Sequence, residues 1–136
     1  MKDKFIVCIV DDDADDLELL SEAFQLSGCA SAIKCFTTGA ELMDLMTFRR
    51  IEIPDIIVLD HYLSLKDETN LPAMIRNEKK YDSITLAVYS YSLSPGKIEQ
   101  LLQKGVDVCR QKGNSVAEMK IDVDAFCEAV RAKQKR

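Results

Sequence analysis

Asp11 and Asp12 directly follow the apolar run Phe5-Ile6-Val7-Cys8-Ile9-Val10. Asp60 follows Ile56-Ile57-Val58-Leu59, Ser90 follows Val88-Tyr89, and Lys112 follows Val108-Cys109-Arg110-Gln111. If each run is a strand of one sheet, three carboxylates, a hydroxyl and an ammonium converge on one rim. Carboxylates so placed repel: at an effective dielectric near 20, two unit charges about 4 Å apart cost about 4 kcal/mol. Such a cluster takes up a proton or binds a cation. Oxygen donors without His or Cys select a hard ion, Mg²⁺ or alternatively Mn²⁺. A metal, a spare carboxylate, a hydroxyl and a lysine together suit transfer of a phosphoryl group to an aspartate. Each residue alone is weak evidence, since an acid after a strand is often a helix cap. That reading competes on equal terms for Asp13, Asp15 and Asp16.

The elements that must position these residues follow from periodicity. Residues 5–10 form a continuous β-branched and apolar run, suited to a strand buried on both faces. Leu17, Leu20 and Phe24 then recur at helical spacing, with Asp13 or a neighbour as cap and Gly28 as stop. A second strand is expected over 31–36. A second helix opens at Thr38 or Gly39 and carries Leu42, Leu45, Met46 and Phe48, with Pro54 ending the helical pattern. The third strand ends at Asp60. A loop over 61–67 leads to a third helix around 71–79, where Pro72 is tolerated only in the first turn. A fourth strand is predicted over 84–89. Ser94-Pro95 opens a fourth helix with Ile98, Leu101 and Leu102 on one face and Gly105 as its stop. A short fifth strand over 106–110 is followed by a loop starting at Lys112-Gly113-Asn114-Ser115, then a terminal helix over 123–133. Five alternating β and α units argue for a parallel sheet with helices on both faces, where sites form at the carboxyl ends of the strands.

Length and composition narrow the function. The sequence has 136 residues, 47% hydrophobic and 30% charged, with a net charge of −5. This is a single globular domain over 1–136. An acidic domain is poorly suited to direct DNA or RNA binding. No apolar run approaches the roughly 20 residues of a membrane span. The N-terminus lacks the pattern of a signal peptide. The odd set Cys8, Cys29, Cys35, Cys109 and Cys127, without a C-x-x-C pair, reads as reduced, mostly buried thiols of a cytoplasmic protein. With one histidine, His61, a zinc site is not expected. His61 reads as a solvent-facing loop residue rather than a catalytic base. The basic tail Arg131, Lys133, Lys135 and Arg136 reads as a solvated helix end favoured by the macrodipole rather than a docking site for an acidic partner. Tyr81, Tyr89 and Tyr91 are candidates for an aromatic partner surface, Tyr89 and Tyr91 on even terms with burial. No glycine-rich phosphate loop is present.

The chain resembles the receiver domain of two-component response regulators over essentially its whole length. The resemblance is carried by Ile9-Val10-Asp11-Asp12-Asp13, Pro54-Asp55-Ile56-Ile57-Val58-Leu59-Asp60, Val88-Tyr89-Ser90 and 105–112 (GVDVCRQK). The intervals of 30 residues from Asp60 to Ser90 and 22 from Ser90 to Lys112 fit the family without gaps. The resemblance implies a flavodoxin-like doubly wound (βα)5 fold with five parallel strands in the order 2-1-3-4-5. It implies Asp60 as phosphoacceptor, Asp12 as a direct Mg²⁺ ligand and Asp11 as holder of metal-bound water. The backbone carbonyl of Tyr62 would complete the metal site. Ser90 would hydrogen-bond a phosphoryl oxygen and Lys112 would pair with another. The implied donor is a phosphohistidine on a histidine kinase or phosphotransfer protein, and the output is a contact with a downstream protein. The domain would catalyse both its own phosphorylation and its later dephosphorylation.

Several positions depart from the family's pattern. Tyr91 stands where a small residue usually follows the switch hydroxyl. Cys109 replaces the aromatic whose rotamer follows phosphorylation, and Tyr89 or Tyr91 is the substitute the sequence offers. Gly113 replaces the proline after the lysine, so a cis peptide is not expected there. Ser64 and Glu68 replace the proline and glycine of the loop after the acceptor, and the segment between Lys112 and the last helix is longer than usual. Tyr91, Cys109, Gly113 and Glu68 favour a second reading, a pseudo-receiver that acts as a non-phosphorylated interaction module. A third, a haloacid dehalogenase-type phosphatase, needs an acid two residues after the nucleophile, where Tyr62 stands.

Overall fold

The computed structural model describes residues 3–60 and 70–135. Five strands form one parallel sheet: β1 (Phe5–Val10), β2 (Ala30–Phe36), β3 (Ile56–Asp60), β4 (Thr85–Ser90) and β5 (Val108–Gln111), in the order β2-β1-β3-β4-β5. The order 2-1-3-4-5 and the flavodoxin-like class are as expected. The helices are α1 (Ala14–Ser27), α2 (Gly39–Thr47), α3 (Leu71–Arg76), α4 (Pro95–Gln103) and α5 (Val116–Gln134), with a 3₁₀ turn at Lys79–Tyr81.

The central strands read as apolar throughout because both their faces are covered. Val7, Ile9, Ile56, Val58, Ala87 and Tyr89 pack with Leu20 and Phe24 of α1 and Met119, Val123 and Phe126 of α5. Cys8, Val10, Ile57, Leu59, Leu86 and Val88 face Leu42 and Met46 of α2, Ile75 of α3 and Leu101 of α4. Each fully buried side chain of this size contributes roughly 1.5–3 kcal/mol.

The helix starts are set by short polar side chains. Asp13 accepts from the backbone N–H groups of Asp15 and Asp16, Thr38 from Glu41, and Ser94 from Lys97. Gly28 ends α1 in the left-handed conformation at φ 73°. Pro72 sits in the first turn of α3, as its missing N–H requires.

Four sequence expectations are corrected. The final helix begins at Val116, seven residues before the expected start. Ser115 accepts from the Glu118 N–H, and the Glu118 carboxylate accepts from the Asn114 N–H, so a polar-looking loop opens the helix. The third helix ends at Arg76, where the chain tightens into the 3₁₀ turn. Phe48 and Leu102 are exposed, because they lie past the buried stripes of α2 and α4. Cys29 and Cys127 are joined by a disulfide between the segment after α1 and helix α5. Cys8 is a buried free thiol, whereas Cys35 is exposed and Cys109 half-buried. No helix among the described residues is long and apolar enough to cross a membrane.

Candidate functional site at the carboxyl rim of the sheet

Strand register brings the predicted residues to one edge. Asp11 extends the β1–β2 ladder by one bond, its N–H donating to the Phe36 carbonyl at 3.0 Å. Asp60 is the register partner of Tyr89, so Ser90 is the next residue along the rim. The Lys112 N–H donates to the Ser90 carbonyl at 2.7 Å, carrying the β4–β5 pairing one step past Gln111. Lys112 is therefore delivered to the rim by the backbone.

The carboxylates of Asp11, Asp12 and Asp60 each offer an oxygen within 4.8 Å of the others. Asp11 is buried, Asp60 half-buried and Asp12 exposed. Such a donor set, all oxygen and open on the Asp12 side, fits a hard divalent cation that keeps part of its water shell. Burial pushes the Asp11 carboxyl up to about 6, against the opposing pull of Lys112. The Lys112 Nζ donates to Asp11 Oδ2 at 2.7 Å and to Asp16 Oδ2 at 3.0 Å, and lies 3.6 Å from Asp60 Oδ2. Burial alone would lower the lysine pKa. The Asp11 hydrogen bond and the surrounding carboxylates outweigh it and hold the ammonium charged well above the ordinary range. Ser90 is buried, and its hydroxyl sits 3.4 Å from the Ser92 N–H, within a short turn.

The rim thus unites Asp11, Asp12, Asp60 and Lys112, with Ser90 at the end of the neighbouring strand. Tyr62, His61, Ser64 and Glu68 lie outside the described residues. The sequence reads Asp16 only as a possible cap, and Tyr91 as a bulky neighbour of the switch hydroxyl. Asp16 does not cap α1, a task Asp13 performs, but holds Lys112. The Tyr91 hydroxyl donates to Asp16 Oδ1 at 2.8 Å, while its ring lies under the Lys112 ammonium, 5.1 Å from Nζ to the ring centre.

Tyr89 is not a surface residue. Its ring is buried edge-on against Phe126, with centroids 5.3 Å apart, and its hydroxyl donates to Asp122. Arg110 Nε reaches the other Asp122 oxygen at 2.8 Å, and the Gly113 N–H donates to the Tyr89 oxygen at 3.3 Å. Tyr89 is pinned in this network. Gly113 is there for space: a Cβ at that position would meet the Glu118 Cβ at 2.5 Å. No cis peptide occurs among the described residues, as the glycine predicts.

No family model and no curated relative matches the chain. Solved structures do. The Mn²⁺-bound form of response regulator Rcp1 is 18% identical with a TM-score of 0.75, covering 90% of this chain and 91% of that one. The chemotaxis response regulator CheY4 of Vibrio cholerae is 15% identical with a TM-score of 0.73, covering 90% and 98%. The signal receiver domain of a DNA-binding response regulator from Colwellia psychrerythraea is 17% identical with a TM-score of 0.72, covering 92% and 99%. The fold of this chain is that of response-regulator receiver domains.

Proposed function

We propose that this chain is a receiver domain that takes a phosphoryl group onto Asp60 from a phosphohistidine of a histidine kinase or phosphotransfer protein. The observation that carries this reading is the position of Lys112, with its ammonium on Asp11 and within 3.6 Å of Asp60, beside a three-carboxylate cluster. An Asp60 oxygen forms the new P–O bond as the P–N bond to the donor imidazole breaks, and that electron pair returns to the ring nitrogen. A carboxylate is a weak nucleophile, so the rate comes from positioning and from charge neutralisation. The end of β3 fixes Asp60, Lys112 supplies a mobile positive charge, and Ser90 offers one hydrogen bond. Asp11, Asp12 and Asp60, with the Tyr62 backbone carbonyl, would hold Mg²⁺ or Mn²⁺. When bound, the ion neutralises carboxylate and phosphoryl oxygens. The result passes to a downstream protein by contact.

One observation favours the pseudo-receiver reading: the Tyr91 ring lies against Lys112, where a small residue would leave the rim open. Incubation with Mg²⁺ and acetyl phosphate, read by intact mass, separates the two. A gain of one phosphoryl group that chelator abolishes supports the phosphoacceptor. No gain, even from a phosphohistidine donor, leaves the interaction module.

A further inference from the structure

Asp16 occupies the third position of α1, where an acidic side chain ordinarily turns back to the N-cap N–H. Here that N–H, on Asp13, is already taken by Asp11 Oδ1 at 3.0 Å. The Asp16 carboxylate is released for other partners and uses both oxygens, Oδ2 for Lys112 at 3.0 Å and Oδ1 for the Tyr91 hydroxyl at 2.8 Å. The Lys112 side chain is 2% exposed and that of Asp16 11%, so water competes little for this pairing. Asp16 also stands outside the cluster formed by Asp11, Asp12 and Asp60. A cation at that cluster would neutralise the lysine's other carboxylate partners and leave Asp16 with its charge.

We infer that Asp16 and Tyr91 form a latch that holds Lys112 back from the group on Asp60, so that an acceptor-bound anion must displace a second carboxylate to win the lysine. The inference rests on the phosphoacceptor reading above. Asp16 and Tyr91 act through Lys112 and are positioning residues. The Tyr91 hydroxyl orients the carboxylate, and its ring adds a cation–π contact to the same ammonium. The arrangement sets a threshold: full engagement of Lys112 would require a tightly held anion, and weaker anions would leave the latch closed.

The probe is beryllofluoride with saturating Mg²⁺, its affinity measured by calorimetry on wild type, Asp16→Asn, Tyr91→Phe, Lys112→Ala and the Asp16→Asn/Lys112→Ala and Asp16→Asn/Tyr91→Phe doubles. Asp16→Asn is expected to tighten binding roughly tenfold, the scale of one charge-assisted hydrogen bond. Tyr91→Phe is expected to tighten it less and to add nothing on top of Asp16→Asn. In the Lys112→Ala background the Asp16→Asn gain should vanish. A gain of equal size there would overturn the latch, because it would reflect simple repulsion between Asp16 and the anion. Unchanged affinity in Asp16→Asn, with wild type binding, also overturns it while leaving the phosphoacceptor reading intact. Binding by Asp16→Asn alone supports it in its strongest form, and binding by neither rejects both ideas. Should Asp16→Asn not fold, as judged by circular dichroism, Tyr91→Phe with and without Lys112→Ala carries the same comparison.

Discussion

Asp11 and Lys112 are 101 residues apart in the chain and meet at 2.7 Å in the interior of the rim. Neither charge would be tolerated there alone, since a buried unpaired ion costs several kcal/mol. The pair places a neutralised carboxylate and a buried cation beside Asp60. It also makes proton and metal occupancy of the rim interdependent.

Divalent cation binding should therefore depend on pH. Burial raises Asp11 to about 6, so the carboxyl is protonated below that pH and ionised above it. Protonation removes a negative charge beside the cation and the acceptor offered to metal-bound water, so Mg²⁺ affinity is expected to fall as pH drops through 6, by up to about tenfold per unit. Calorimetric Mg²⁺ titrations at pH 7.5 and pH 5 check this. Asp12→Ala should abolish binding at both, and equal affinity in that variant would reject the cation site.

Reduction should weaken the fold. Cys29 and Cys127 are separated by 98 residues, and closing a loop of that length restricts the unfolded chain substantially. Denaturant unfolding with and without reductant is expected to differ by about 2–4 kcal/mol. The double variant Cys29→Ser/Cys127→Ser should match the reduced protein and ignore reductant. Thiol titration of the unfolded, unreduced chain should count three free cysteines, and a count of five would contradict the bond.

The Tyr89 hydroxyl ties β4 to α5 through Asp122, and burial together with that carboxylate holds its pKa well above the ordinary tyrosine range. Tyr89→Phe keeps the ring contact with Phe126 and removes only the hydroxyl. It is expected to cost about 1–2 kcal/mol of stability by denaturant unfolding, since Asp122 keeps Arg110. No change would show that the hydroxyl contact contributes nothing net.

Local signals carried the fold. The runs at 5–10, 56–59 and 86–89 are apolar because both faces of the sheet are covered, and Asp13, Thr38 and Ser94 mark helix starts by their own chemistry. Asp11, Asp12, Asp60, Ser90 and Lys112 were legible as candidates for the same reason: each lies at or just past the end of a recognisable strand. What escaped was pairing across the chain. Asp16 meets Tyr91 across 75 residues and Lys112 across 96, and a cap-like acid shows no local trace of either partner. The disulfide has the same character, since odd cysteine spacing does not report which faces meet. The early start of α5 was within reach, because Ser115 and Glu118 form a capping pair; the glycine and asparagine before them outweighed that signal.

The central claim is that Asp60 is the acceptor, and intact mass after incubation with Mg²⁺ and acetyl phosphate tests it most directly. Wild type should gain one phosphoryl group, while Asp60→Asn and wild type in chelator should gain none. Lys112→Ala should lose response to phosphorylation while retaining metal binding. A phosphoryl gain on Asp60→Asn would contradict the assignment and turn attention to Asp11, and no gain on wild type with any phosphohistidine donor would contradict the phosphoacceptor function itself.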